Sequence, residues 1–153
     1  LIGMDAVTYG LVFGATALGL LVVSAVSARL ASTRSVEGLL RTGLALVLLS
    51  ALGVLALVLT GAPAWTVTIP VFTAVSSLGL VLGNATALAL AAVPAAAGTG
   101  SAVLGALQFG LAALVTPLVG LGGEHTALPL AIVMVAAAVV ACLAFLVAKK
   151  ARA

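Results

Sequence analysis

GNATALALAAVPAAAGTGSAVLGALQF, residues 83–109, is two apolar arms joined by the short hinge Pro94-Ala95-Ala96-Ala97-Gly98. Each arm carries one strongly polar amide, Asn84 in the first and Gln108 in the second, and no charge occurs anywhere in the stretch. Arms of this length without charge suit helices solvated by lipid, where a span needs roughly 20 apolar residues. An amide placed in such a run is costly unless something satisfies or uses it. Asn84 and Gln108 are therefore the first candidates for function.

The rest of the chain extends this reading. Its 153 residues are 65% hydrophobic and 6% charged, whereas about 25% charge is usual for a soluble domain. Too little charge is present to cover a water-facing surface, so the class is an all-α integral membrane protein. Residues 6–28, 42–123 and 126–148 carry no Asp, Glu, Lys or Arg. The two short intervals hold one helix each. The long one holds three, broken at Gly61-Ala62-Pro63 and at the Pro94 hinge. The expected spans are 7–30, 39–60, 66–93, 99–121 and 127–148. Alternation over about ten residues would mark a membrane barrel, and these runs are apolar on all sides.

Basic residues mark the cytoplasmic side of a membrane helix bundle. Arg29, Arg34 and Arg41 lie between spans one and two, and Lys149, Lys150 and Arg152 follow span five. Asp5, Glu124 and His125 fall at the opposite junctions. The chain is thus expected to start outside and to end in the cytoplasm. Beyond these flanks no basic face exists to hold nucleic acid. The first residue is Leu, with no basic stretch ahead of an apolar core, so no cleavable signal peptide is read. The lack of an initiator Met predicts a piece of a longer protein.

Small residues recur at four-residue spacing: Gly10 with Gly14, Gly79 with Gly83, and Ser101 with Gly105. Such pairs let helix backbones approach closely, which makes Gly10, Gly14, Gly79, Gly83 and Gly105 the expected packing positions. Pro70 is expected to kink or restart span three, and Pro117 to bend span four. Asn84 opens a formal glycosylation sequon, which its place deep in an apolar run rules against. It serves either a helix–helix hydrogen bond or the lining of a polar cavity, and Gln108 has the same two alternatives. His125 beside Glu124 in a glycine-rich turn reads as a solvated loop, because a metal site needs about four ligands. Cys142 reads as a small packing residue. No HExxH, no phosphate-cradling loop and no carboxylate within a span is found, so neither an enzyme site nor a metal or cofactor is expected.

Two stretches carry a family resemblance. Residues 83–90, then Pro94, then Ala97-Gly98-Thr99-Gly100-Ser101-Ala102-Val103-Leu104-Gly105 and Gln108 resemble the tenth helix, inner hinge and eleventh helix of the major facilitator superfamily. Within it they are similar to the bicyclomycin/chloramphenicol resistance (Bcr/CflA-like) drug:proton antiporters. Gly100 stands where that family more often has Ala. Residues 13–20 with Ala28-Arg29-Leu30 resemble the eighth helix and its inner loop.

The resemblance implies that the five spans are helices eight to twelve of a twelve-helix transporter of the bacterial inner membrane. They would form part of its C-terminal six-helix half. It further implies proton-coupled multidrug efflux by alternating access around a midplane cavity. Membrane lipid, a drug-like substrate, protons and the missing N-terminal helices are the implied partners. Asn84 and Gln108 would face the substrate pathway, and the loop bearing Arg29, Arg34 and Arg41 would form the inner gate. Proton-coupling acids of these antiporters lie mainly in the half not present here. The alternatives are a major facilitator exporter of sugars or metabolites, and a non-transporting membrane scaffold.

Overall fold

The computed structural model describes residues 6–120 and 126–151. They form five long helices: α1 (Ala6–Leu30), α2 (Val36–Leu59), α3 (Thr68–Ala91), α4 (Ala97–Gly120) and α5 (Leu128–Lys150). Short 3-10 turns precede α3 (Ala64–Val67) and α4 (Pro94–Ala96). Among the described residues there is no strand. A 24-residue helix such as α2 is ~36 Å long at ~1.5 Å per residue, enough to cross a hydrocarbon core of ~30 Å. All five are apolar enough to do so.

The breaks follow from local chemistry. Ser35 is extended and its side chain accepts a hydrogen bond from the Gly38 N–H, 3.1 Å away. This N-cap satisfies one orphan donor of the first turn and starts α2 at Val36, a turn ahead of the expected apolar span. At the other end of α2 the Ala62 N–H donates to the Leu57 carbonyl and the Gly61 N–H to the Val58 carbonyl. Gly61 sits at φ 67°, the left-handed conformation that this crossed pair of bonds requires. Pro70 falls in the first turn of α3, where its missing N–H would have had no helical partner. The helix therefore restarts just before it. Val93, ahead of Pro94, is forced out of the helical region, at φ −135° and ψ 57°, and this separates α3 from α4. Pro117 lies inside α4, which continues through it to Gly120.

The helices α2 and α3 form the centre. α3 lies against α1 and α2, α5 lies against α2, and α4 makes slighter contacts with α5 and α3. Contacts rise together along α1 and α3, from Gly19 beside Phe72 to Ser27 beside Asn84, so these two run parallel. Gly43 of α2 meets Leu80 while Gly53 meets Pro70, so α2 runs antiparallel to α3. Glu37 at the start of α2 meets Lys149 at the end of α5. One end of the bundle thus gathers Arg29, Arg34, Arg41, Lys149, Lys150 and the Pro94 hinge. Asp5, Glu124, His125 and Arg152, the remaining junction residues, lie outside the described residues.

The core is thin. Val54, Val67 and Ala131 form its buried centre, with Leu55, Val58, Val71 and Met134 packed against it. No residue of α4 is buried, and Phe109 and Leu114 are 74% and 73% exposed. Side chains this apolar would be costly in water, at ~25 cal/mol per Å², and cost nothing comparable in lipid.

Candidate functional site

Asn84 is 5% exposed, at the boundary between α3 and α1. Its Nδ2 donates to the Leu80 carbonyl one turn back, at 2.6 Å, and across to Ser27 Oγ of α1, at 2.8 Å. The first bond fixes the rotamer; the second ties two helices. Ser27 is equally buried, at 5%, so neither group has water as an alternative partner.

The backbones come close here because α3 carries glycine in the preceding turn. A Cβ on Gly79 would stand 2.7 Å from the Ser24 nitrogen and 2.9 Å from the Leu20 oxygen. Gly19 of α1 fills the same role against Phe72 and Ser76, and Gly43 of α2 against Leu80 and Val81. The same seam holds Ser76, whose buried Oγ has no partner among the described residues.

Of the five glycines expected to pack helices, Gly79 does so within this chain. A Cβ added at Gly10, Gly14, Gly83 or Gly105 meets nothing within 4 Å among the described residues, because the faces that carry them are uncovered. Gly19 follows the Gly10 and Gly14 pair along α1 but is not spaced four residues from either, and Gly43 has no glycine at that spacing. Their signal is contact with another helix, which no four-residue pattern encodes.

Gln108 is exposed on α4, and no hydrogen bond joins it to Asn84 among the described residues. Arg29, Arg34 and Arg41 are exposed at the basic end. Arg29 and Arg34 bracket a tight turn, in which the Arg34 N–H donates to the Leu30 carbonyl at 2.7 Å. Among the described residues, the ion pair at this end joins instead Lys149 Nζ and Glu37 Oε1, 3.3 Å apart and about half exposed.

Beside that pair a cleft of about 460 Å³ opens between α2, α3 and α5. α3 and α5 both lie against α2, and alanines such as Ala85 and Ala144 leave the space between them unfilled. Asn84 is not part of its lining; the amide is turned toward α1. The sequence shows Glu37 and Lys149 as charges at two separate junctions, and only the packing of α5 on α2 makes them neighbours.

No group of three or more His, Cys, Asp or Glu side chains able to hold a metal occurs among the described residues. The polar groups present can donate and accept hydrogen bonds. The fold and this buried polar seam define a multi-pass helical membrane protein. No protein-family model matches the chain, and no solved structure does. The chain is similar to a curated protein of Bacillus subtilis (strain 168), the uncharacterized MFS-type transporter YdgK. The two are 29% identical over 143 residues, which is 94% of this chain and 35% of the relative. The chain thus spans about a third of that transporter's length. The likeness is to an MFS-type transporter and extends along nearly the whole of this chain.

Proposed function

We propose that this chain is helices eight to twelve of a major facilitator multidrug exporter that exchanges its substrate for protons by alternating access. The observation that carries the reading is the Asn84–Ser27 contact: a buried amide–hydroxyl pair between two long, mainly apolar helices. It occurs in a chain similar along nearly all its length to a transporter. A polar pair buried between membrane helices serves a helix–helix hydrogen bond or a pathway. Alternating access is largely the rocking of one half against the other, and this bond, together with the close approach at Gly79, would hold α1 and α3 together as one body of the C-terminal half. Gln108, exposed on α4, is the second pathway residue, directed at helices that lie outside this chain. Gly10, Gly14, Gly83 and Gly105 have uncovered faces that those helices would meet. The basic end, with Arg29, Arg34 and Arg41, is the cytoplasmic gate, and the protein belongs to the bacterial inner membrane.

The test uses the full-length transporter expressed in a drug-sensitive bacterium. Asn84→Leu and Gln108→Leu are expected to lower resistance to several drugs at normal membrane abundance, and collapse of the proton gradient is expected to abolish efflux. Unchanged resistance in both variants would remove the two amides from the pathway. Efflux that survives the collapse would remove proton exchange.

A further inference from the structure

The cleft between α2, α3 and α5 has a shape and polarity that the transport reading leaves unused. Its walls are apolar, with Leu40, Val81, Leu88 and Phe145 among them, and its polar groups are Glu37 and Lys149 at one end. The lining runs over eight residue steps on α3 (Val81 to Ala89) and on α5 (Ala141 to Lys149), or ~12 Å along the helices. Half of a ~30 Å hydrocarbon core is ~15 Å. The cleft is therefore about one leaflet deep and begins at the helix ends, where headgroups lie. That end carries Arg29, Arg34, Arg41, Lys149 and Lys150 against the single carboxylate of Glu37 among the described residues. Basic pockets between membrane helices suit anionic headgroups.

We infer that this cleft holds one anionic phospholipid, with an acyl chain between α3 and α5 and its phosphate at Lys149, which lines the cleft, supported by Lys150, the next residue of α5, which lies outside the lining. Glu37 then acts as a competitor. It engages Lys149 when the site is empty, and a lipid phosphate takes that lysine over when the site is filled. The inference rests on the helical membrane fold and the charge at one end, not on any particular transported substrate. It holds whichever leaflet that end occupies.

The full-length protein is reconstituted in nanodiscs of equal parts phosphatidylglycerol and phosphatidylcholine, released into mild detergent and weighed intact by native mass spectrometry. Wild type is expected to retain one phosphatidylglycerol in preference to phosphatidylcholine. Lys149→Gln with Lys150→Gln should lower that retention about tenfold or more, since each near-surface lysine contributes ~1 kcal/mol. Ala144→Phe, which fills the cleft and keeps both charges, should lower it comparably. Glu37→Gln should raise it several-fold, whereas a merely structural ion pair would give no gain. Variants are compared at matched elution profiles and thermal midpoints; if the Phe variant misfolds, Ala144→Leu replaces it. Equal retention of the two lipids by wild type would overturn the inference. So would undiminished phosphatidylglycerol in both the lysine and the cleft-filling variants, or its displacement from wild type by tetraphenylphosphonium, which would mark the cleft as a drug site.

Discussion

The hydrogen bond between Asn84 and Ser27 should be measurable as a coupling energy. The perturbations are Ser27→Ala, Asn84→Leu and the pair together, in the full-length protein. Removing the amide deletes both Nδ2 bonds, to Ser27 Oγ at 2.8 Å and to the Leu80 carbonyl at 2.6 Å. Only the first is shared between the two sites. Ser27, left alone, can turn its hydroxyl to the carbonyl four residues back on its own helix, so it does not become a full orphan. The coupling should therefore be that of one interhelical bond, which in membrane proteins averages ~0.6 kcal/mol and reaches ~1.7. Both partners are 5% exposed, so no water competes, and we expect a value in the upper half of that range, ~1 kcal/mol. Reversible unfolding in mixed detergent–SDS micelles gives the four stabilities, and the double-mutant cycle isolates the shared term. A coupling below ~0.3 kcal/mol, within the scatter expected of independent sites, would refute a direct bond. The same variants separate structure from pathway. If Asn84 serves the substrate directly, Asn84→Leu loses resistance while Ser27→Ala keeps it. If the bond is only a fastener, the two fall together in proportion to their stability loss.

Three further substitutions on α3 separate packed from open positions. Gly79→Ala pushes a Cβ against the backbone of α1 at 2.7 Å and 2.9 Å, which no side-chain rotation relieves; a loss of ~1–3 kcal/mol is expected in the same unfolding assay. Gly83→Ala, with open space around it in this chain, should instead be neutral or gain up to ~1 kcal/mol of helix propensity. A comparable loss there would mean that a helix outside this chain covers it. Ser76→Ala removes a buried hydroxyl without a partner among the described residues, so it should leave stability unchanged or raise it, since such an orphan costs ~1–3 kcal/mol. A clear loss on thermal unfolding would show that Ser76 has a partner beyond the described residues.

Much of the fold was legible because the governing quantity is linear along the chain. Helix count follows from the length of charge-free runs, and the breaks follow from Gly61, Pro63 and Pro94, whose backbone limits act locally. The Ser35 cap lay at the edge of what could be read: hydropathy starts a span at Leu39, while the hydrogen bond to the Gly38 N–H starts the helix earlier. Asn84 stood out for its polarity alone. Its two alternatives, helix–helix bond or cavity wall, differ only in which helix lies opposite. The structure gives it Ser27 as a partner, 57 residues away.

The sequence by itself determined that this is a lipid-solvated bundle of five helices with its basic residues at the junctions, because transfer energy and backbone constraints depend on residues near in the chain. Only the tertiary structure decided that Gly79, Gly19 and Gly43 are the close-contact glycines, that Glu37 meets Lys149, and that a cleft opens between α3 and α5. The reason is that a helix apolar on every side carries no mark of which face its neighbour will take. In lipid that choice rests on the fit of small residues and a few hydrogen bonds, and these exist only once the helices are side by side.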